Sequence, residues 1–427
     1  MSTSVVEGPG GMVMIFCERN RSRLTPALLF SGSTFMKVVG IIAEYNPFHK
    51  GHQFHLSRAR ELTGADYVIV VMSGNYVQRG TPAIFDKYTR AEAALRSGAD
   101  LVLELPVSAA TGSAEYFASG AVKILADTGI VTDLCFGSEC GSLMDLQKLA
   151  DILAEEPEEY QILLRKYLKK GMSFPAARAH AMKDFAPELA SNLLDTPNNL
   201  LGLEYLKALK RLHSTILPHT IQREGNAYHD ITITDERSAS ASGIRDALMK
   251  SQGVFTDRIL QQLPFPELYK DYEGLSPISE NSFSLPLLQK LRALQDQPLE
   301  QYFGVSAELS NRIWNRLDEF SSFSGFTDLL KTRELTRTSV SRALLHVLLD
   351  VREYKPASVF RVLGFRKSSA ILLKELSAHG NLPVITSLSQ AGIPPKELYA
   401  DHLYESVRSL LHGQPFQNEY RRKMLVI

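Results

Sequence analysis

Lys37-Val-Val-Gly-Ile-Ile-Ala-Glu-Tyr-Asn-Pro-Phe-His-Lys-Gly-His52 reads as a strand, a tight turn and the start of a helix. Val38, Val39, Ile41 and Ile42 form a near-continuous apolar run, which suits a strand covered on both faces. Asn46-Pro47 ends it, because proline cannot donate to a sheet ladder and restricts the residue before it. His49, Gly51 and His52 follow as His-x-Gly-His. Gly51 lets a phosphate or base approach the backbone, and free N–H groups at a helix start attract anions. Two imidazoles beside such a place can donate hydrogen bonds to charge that develops on a phosphoryl group.

Chance is a weak rival. With 11 His and 27 Gly in 427 residues, His-x-Gly-His arises at random roughly 0.02 times per chain. A metal site needs a third ligand, and no Asp, Glu, Cys or further His stands at obvious spacing. His55, three residues on, reads as helix surface. Histidines serving only the fold are the remaining alternative.

Outward from this stretch, strands alternate with helices. Strands are expected at Val38–Glu44, Tyr67–Met72, Leu101–Leu105 and Asp133–Phe136. Helices are expected over residues 51–62, 87–96 and 113–126. That alternation implies an α/β, Rossmann-like parallel sheet with right-handed crossovers, and ligands bind at the carboxyl ends of such strands. Those ends are 45–52, 73–79 and Gly137-Ser138-Glu139. In Met72-Ser-Gly-Asn-Tyr-Val-Gln-Arg-Gly-Thr81, Ser73 and Asn75 can cup a ligand, and Arg79 can hold a carboxylate or phosphate. Asp86 reads as the cap of the following helix, with Lys87 and Arg90 solvated.

Residues 142–212 read as helical, with an acidic, solvated run from Asp151 to Glu159. Strand-like β-branched residues recur at 215–220 and 231–234. Ser238-Ala-Ser-Ala-Ser-Gly-Ile-Arg245 turns into a helix, and Arg245 there suits triphosphate oxygens. From about Pro264 onward the pattern is mostly helical, with Ile313, Trp314 and Leu317 as core. Residues 331–367 hold nine Lys and Arg against three Asp and Glu. Arg337, Arg342, Arg366 and Lys367 are its candidates for an RNA backbone surface, with a solvated helical face as the alternative. The expected domains are an N-terminal extension (1–35, poorly ordered, with Met36 the natural start), a nucleotide-binding domain (36–262) and a helical, RNA-binding domain (263–427).

Composition narrows the class. The chain is 44% hydrophobic and 22% charged with formal net charge zero, so no global field draws it onto nucleic acid. Its three cysteines, Cys17, Cys135 and Cys140, have no metal or redox spacing and point to a reducing cytoplasm without disulfides. No run is long enough to span a membrane, and no membrane partner is expected.

Several stretches together resemble the bacterial tRNA(Met) cytidine acetate ligases. They are Gly40-Ile-Ile-Ala-Glu-Tyr-Asn-Pro-Phe-His-Lys-Gly-His52, the Met72–Gly80 loop, Asp86-Lys-Tyr-Thr-Arg-Ala-Glu92, Gly98-Ala-Asp-Leu-Val-Leu-Glu-Leu-Pro106, Phe136-Gly-Ser-Glu139, Pro197-Asn198-Asn199, Ser240–Arg245 and Val362-Leu-Gly-Phe365. The early motifs are shared with the wider HxGH nucleotidyltransferase superfamily. The resemblance covers Lys37 to the C-terminus. It implies that acetate and ATP form acetyl-adenylate, and that the acetyl group passes to N4 of the wobble cytidine of elongator tRNA(Met).

Carried over, the ATP-binding segment falls on Ile41, Ile42, Ala43, Glu44, Tyr45, Asn46, Pro47, Phe48, His49, Lys50, Gly51, His52, Gln53 and Phe54. Single ATP contacts fall on Gly137, Asn198 (with Asn199 adjacent) and Arg223. His49 and His52 are expected to act on the α-phosphate or leaving group, and Mg²⁺ to accompany the phosphates. Two other functions stay open: a small-molecule nucleotidyltransferase that moves an adenylyl group, and a non-catalytic RNA-binding scaffold.

Overall fold

The apolar run after Lys37 becomes the middle strand of a sheet, β1 (Val38–Ala43). The structure is a computed structural model that describes residues 3–8, 12–17, 36–172, 174–190, 193–194, 196–223 and 239–427. The turn after β1 leads into α1 (Lys50–Thr63), then β2 (Tyr67–Ser73), α2 (Lys87–Arg96) and β3 (Leu101–Leu105). α3 (Ala114–Asp127) crosses back to β4 (Asp133–Ser138). α4 (Leu143–Glu155) and α5 (Pro197–Arg211) precede β5 (Leu217–Gln222). β1 to β5 are parallel, with spatial order 3-2-1-4-5. The order reverses between β1 and β4, which opens a crevice at their carboxyl ends.

Side chains alternate across the sheet. Val38, Ile69 and Val71 face one apolar cluster with Ala121 and Leu125 of α3. Val39, Ile41, Val68 and Val70 face another with Leu56 and Ala59 of α1 and Ala91 and Leu95 of α2. Each fully buried Val, Ile or Leu contributes roughly 1.5–3 kcal/mol. Gly40 is needed for contact: a Cβ there would lie 2.8 Å from Leu125 Cδ1.

After α6 (Ala241–Lys250) the chain is mostly helical, including α7 (Arg337–Leu349), but it returns to the sheet. β6 (Phe360–Phe365) pairs antiparallel with β3, Phe365 opposite Leu101. β7 (Val384–Ile385) and β8 (Leu425–Val426) lie parallel to β6, with α8 (Tyr399–His412) between them in sequence. The helical segment has its own core, in which Ile313 and Leu317 are buried and Trp314 packs at the margin. Trp314 Nε1 donates to Gln297 O at 3.1 Å.

Asp86 caps α2 as expected, accepting from Tyr88 N at 2.7 Å and Thr89 N at 3.2 Å. Lys87 and Arg90 are a correction: neither is solvated, and both are 0% exposed. Acceptors from distant segments, described below, make that burial tolerable. In the N-terminal extension, Thr3–Gly8 and Met12–Cys17 pair antiparallel with each other. The strand expected at 231–234 and Ser238 lie outside the described residues, as does the rest of the extension; the turn that follows Ser238 is described, and Ser240 Oγ caps α6 by accepting from Gly243 N at 3.1 Å.

Candidate functional site

α1 begins with an unusual cap. His49 is the N-cap residue, extended at φ −143° and ψ 173°. Its Nδ1 accepts from Gly51 N at 3.0 Å, and His49 N donates to His52 Nδ1 at 3.3 Å. Each Nδ1 is therefore an acceptor, so each neutral ring carries its proton on Nε2. The ring centroids are 3.9 Å apart. Burial, then the charges of Arg223 and Arg245, push the His49 imidazole down to about 3. Burial, then His49 and Arg223, hold His52 well below its ordinary value. Near neutral pH the pair thus presents two uncharged Nε2–H donors.

The helix start differs from the expectation of free N–H groups. Lys50 N donates to Gln262 O at 3.0 Å, Gly51 N to the His49 ring, and His52 N and Gln53 N to His49 O at 2.8 and 3.1 Å. His49 as cap fills that role, which leaves the ring Nε2–H groups as the donors at this turn. Within the predicted ATP segment, Ile41, Tyr45 and Phe48 are core, while Lys50 and Phe54 are exposed. Tyr45 has φ +51° and its ring meets His52 edge-on at 4.8 Å. Its hydroxyl is buried without a partner among the described residues.

Three strand ends converge here. Arg223 follows β5, and its N donates to Ser138 O at 2.9 Å. A Cβ on Gly137 would come within 3.2 Å of Arg223 Cγ. Glu139 ties the end of β4 to α5: Oε1 accepts from Asn198 Nδ2 at 2.6 Å, and Oε2 from Asn199 N at 2.8 Å. Asn199 Oδ1 in turn accepts from Glu139 N and Cys140 N at 3.0 and 3.2 Å. Asn199 is wholly enclosed, whereas Asn198 stays half-buried. Gly137, Asn198 and Arg223 thus form one neighbourhood, facing the histidines through Arg223.

The β2 end forms the opposite wall. Arg90 lies beneath it, donating to Phe85 O at 3.0 Å, Glu44 O at 2.6 Å, Ser73 O at 3.1 Å and Gly74 O. This one guanidinium binds the ends of β1 and β2 together. Ser73 Oγ is buried with no partner among the described residues. Asn75 is buried, and both ends of its amide are engaged by protein. Arg245 Nη1 donates to Asn46 O at 2.5 Å. Burial raises the Glu44 carboxyl, while the Gln78 N–H and the charges of Arg245, Arg79 and Arg90 oppose it.

Two residues were missed by sequence reasoning. Arg90 had no local signal. His55 was placed on the helix surface, but it is half-buried, with Nε2 buried and unpartnered among the described residues. Burial and Arg223 push it down to about 4. The i, i+3, i+6 spacing of His49, His52 and His55 was the available signal.

The basic candidates do not form one surface. Ser341 Oγ donates to Gly80 O at 2.9 Å, so α7 brings Arg342 beside the Met72–Gly80 loop. Arg366 and Lys367 follow the end of β6 that lies next to Leu101, the opposite edge of the sheet. Arg337 pairs with Glu280 at 3.3 Å, and Arg361 is buried among carboxylates. Among the described residues, no group of three or more His, Cys, Asp and Glu is placed to hold a metal ion. No described helix is long and apolar enough to cross a membrane.

The HIGH Nucleotidyl Transferase family matches residues 36–422. A tRNA(Met) cytidine acetate ligase of Acetivibrio thermocellus is 40% identical over 369 residues, covering 83% of this chain and 89% of that protein. Its counterpart in Halothermothrix orenii is 36% identical, covering 92% and 99%. Crystal structures of Thermotoga maritima TmcAL superpose with TM-scores of 0.83 (apo) and 0.80 (bound with alpha-thio ATP). Both are 32% identical and cover 92% of this chain and 100% of that chain.

Proposed function

We infer the function from one premise: the chain belongs to the HIGH nucleotidyl transferase family and, within it, to the tRNA(Met) cytidine acetate ligases. It is an ATP-dependent ligase that acetylates a tRNA cytidine. The observation that carries the chemistry is the pair of neutral imidazoles at the strand-order reversal, each with Nε2–H free to donate.

Acetate is ionised at neutral pH and needs no base. Its carboxylate oxygen attacks the α-phosphorus of ATP, and pyrophosphate leaves with the bond's electron pair. The cytidine N4 then attacks the acetyl carbonyl, AMP leaves, and N4 gives up a proton. For the first step the protein supplies position and charge stabilisation. His49 and His52 donate to oxygens on the α-phosphate or leaving group. Arg245 and Arg223 add fixed positive charge from either side, and Gly137 leaves room for the nucleotide. The unpartnered His55 Nε2 and Tyr45 and Ser73 hydroxyls support a polar occupant in this crevice. Mg²⁺ arrives with the ATP phosphates, since no protein cage for it is evident among the described residues.

Residues 36–262 seat ATP, residues 263–427 contribute tRNA contacts, and the enzyme works in the cytoplasm. Arg337 and Arg342 are favoured over Arg366 and Lys367 as tRNA contacts, because α7 lies against the crevice loop. The test is incubation of the protein with ATP, labelled acetate and total tRNA. Label on a tRNA cytidine is expected, and its absence overturns the assignment. His52→Ala is expected to lower acetate-dependent pyrophosphate release roughly 10²–10³-fold while the fold survives. Wild-type release in that variant removes His52 from the mechanism.

A further inference from the structure

Asn75 lies on the crevice wall, yet its side chain is held from the far end of the sequence. Its Nδ2 donates to Asp401 Oδ1 at 3.0 Å, a partner 326 residues away on α8. Its Oδ1 accepts from Lys87 N at 2.9 Å, and its carbonyl from Ala83 N at 2.9 Å. Asp401 is itself immobilised: its Oδ2 meets Lys87 Nζ and Arg361 Nη1, each at 2.8 Å.

Behind that pair lies a buried charge cluster. Lys87 also reaches Glu104 at 3.0 Å and Glu419 at 2.9 Å. Arg361 reaches Glu104 at 3.0 Å and Glu419 at 2.6 Å. Side-chain exposure runs only from 0% at Lys87 to 16% at Arg361. A turn on the surface needs no such support. Ions held this far from water keep their geometry, because every displacement leaves a charge uncompensated.

The rest of the loop is also pinned. Gln78 N donates to Glu44 Oε1 at 2.7 Å, at the end of β1. A Cβ on Gly80 would come within 2.5 Å of Arg342 N on α7. Of the three attachments, Asn75 and Gly80 are held by the C-terminal segment.

We propose that Asp401 is a positioning residue of the nucleotide site, acting through Asn75 to hold the 73–80 loop against the crevice. The inference rests on reading that crevice as the seat of ATP. It makes the C-terminal segment part of the adenylation machinery as well as of tRNA binding.

Amide hydrogen exchange on the full chain tests this without any ligand. Asp401→Asn should speed exchange over residues 73–80 roughly 5- to 10-fold, the loss of one hydrogen bond; Asn75→Ala, which also removes the acceptor of Lys87 N, should speed it at least as much, and both should leave α3 unchanged. The paired variant should be no faster than Asn75→Ala alone, because both changes remove the same link. Unaltered exchange in Asn75→Ala, or additive acceleration in the pair, overturns the proposal. Asn75→Ala leaves every charge in the cluster paired, so it decides the matter if Asp401→Asn does not fold. In acetate-dependent ATP–pyrophosphate exchange, Asn75→Ala should lower kcat/KM for ATP roughly 10- to 100-fold, and wild-type kinetics there also overturn it. If the wild-type protein shows no acetate-dependent exchange, the ligase reading falls, while hydrogen exchange still decides the loop.

Discussion

Two loops border the crevice, and they are held by different means. The first carries His49, Gly51 and His52, and the hydrogen bonds among these three close within three residues. The second runs from Ser73 to Gly80 and is fastened by Asp401, Glu44 and Ser341. The histidine turn is capped by its own side chains, and Gln262 and Arg245 reach it only through the backbone of Lys50 and Asn46. The opposite wall takes its shape when α7 and α8 dock. One site can therefore be encoded locally on one side and by the whole chain on the other.

The largest effect should come from Lys87→Met, which leaves Glu104, Asp401 and Glu419 with Arg361 as the cation they share. Breaking a buried pair of this kind costs about 3–5 kcal/mol, measured as a lowered denaturant midpoint. A cost under about 1 kcal/mol, the range of exposed pairs, would erase the contrast between the two walls. Next comes Gly80→Ala. Its φ of +75° and the backbone of Ser341 and Arg342, within 2.8 Å of a new Cβ, leave no space. Overpacking there should cost about 1–3 kcal/mol. Gly64→Ala at the end of α1 also has positive φ but meets nothing within 4 Å, so about 1–2 kcal/mol of backbone strain remains.

Acid should act first on the histidine turn. His49 and His55 sit at about 3 and about 4 in the fold, against an ordinary value of 6.5. Between those values the unfolded chain binds protons that the fold refuses, so stability rises with pH and falls on acidification from about 6.5 towards 4. Denaturant titrations at pH 7 and pH 5 should show that loss, and His55→Gln should shrink it. An unchanged slope in that variant would mean that His55 is solvated. The mildest effect concerns charge at the surface. Arg337→Glu with Arg342→Glu should weaken tRNA binding, reduce its salt slope by roughly 1 per lost contact, and spare pyrophosphate release. Arg366→Glu with Lys367→Glu, at the opposite sheet edge, should change binding less.

The same contrast explains what was legible in the sequence. Strand β1, the turn and the start of α1 near Gly51 were readable because their causes are local: an apolar run, a proline and a glycine; the capping role of His49 was not read. α2 and β3 were read to the residue for the same reason. Lys87 and Arg90 were misread as solvated because such side chains are rarely buried unless paired, and the acceptors that pair them come from other segments. Arg361 counted towards a basic surface although it belongs to the interior. β6 carries only a short apolar run around Gly364, inside a stretch whose periodicity reads as helical, so its pairing with β3 had no local mark. Charge run alone could not separate Arg342 from Arg366, because the sheet's antiparallel strand carries them to different ends.

That late strand has a consequence for synthesis. Until Phe360–Phe365 leaves the ribosome, β3 presents an unpaired edge, since Leu101 and Leu103 await Phe365 and Val362. At about 5–20 residues per second the wait is on the order of tens of seconds. An open edge of that kind is a template for pairing with other chains. Nascent copies on one polysome are thus each other's nearest hazard, and the pace of translation bears on how much active enzyme a cell recovers.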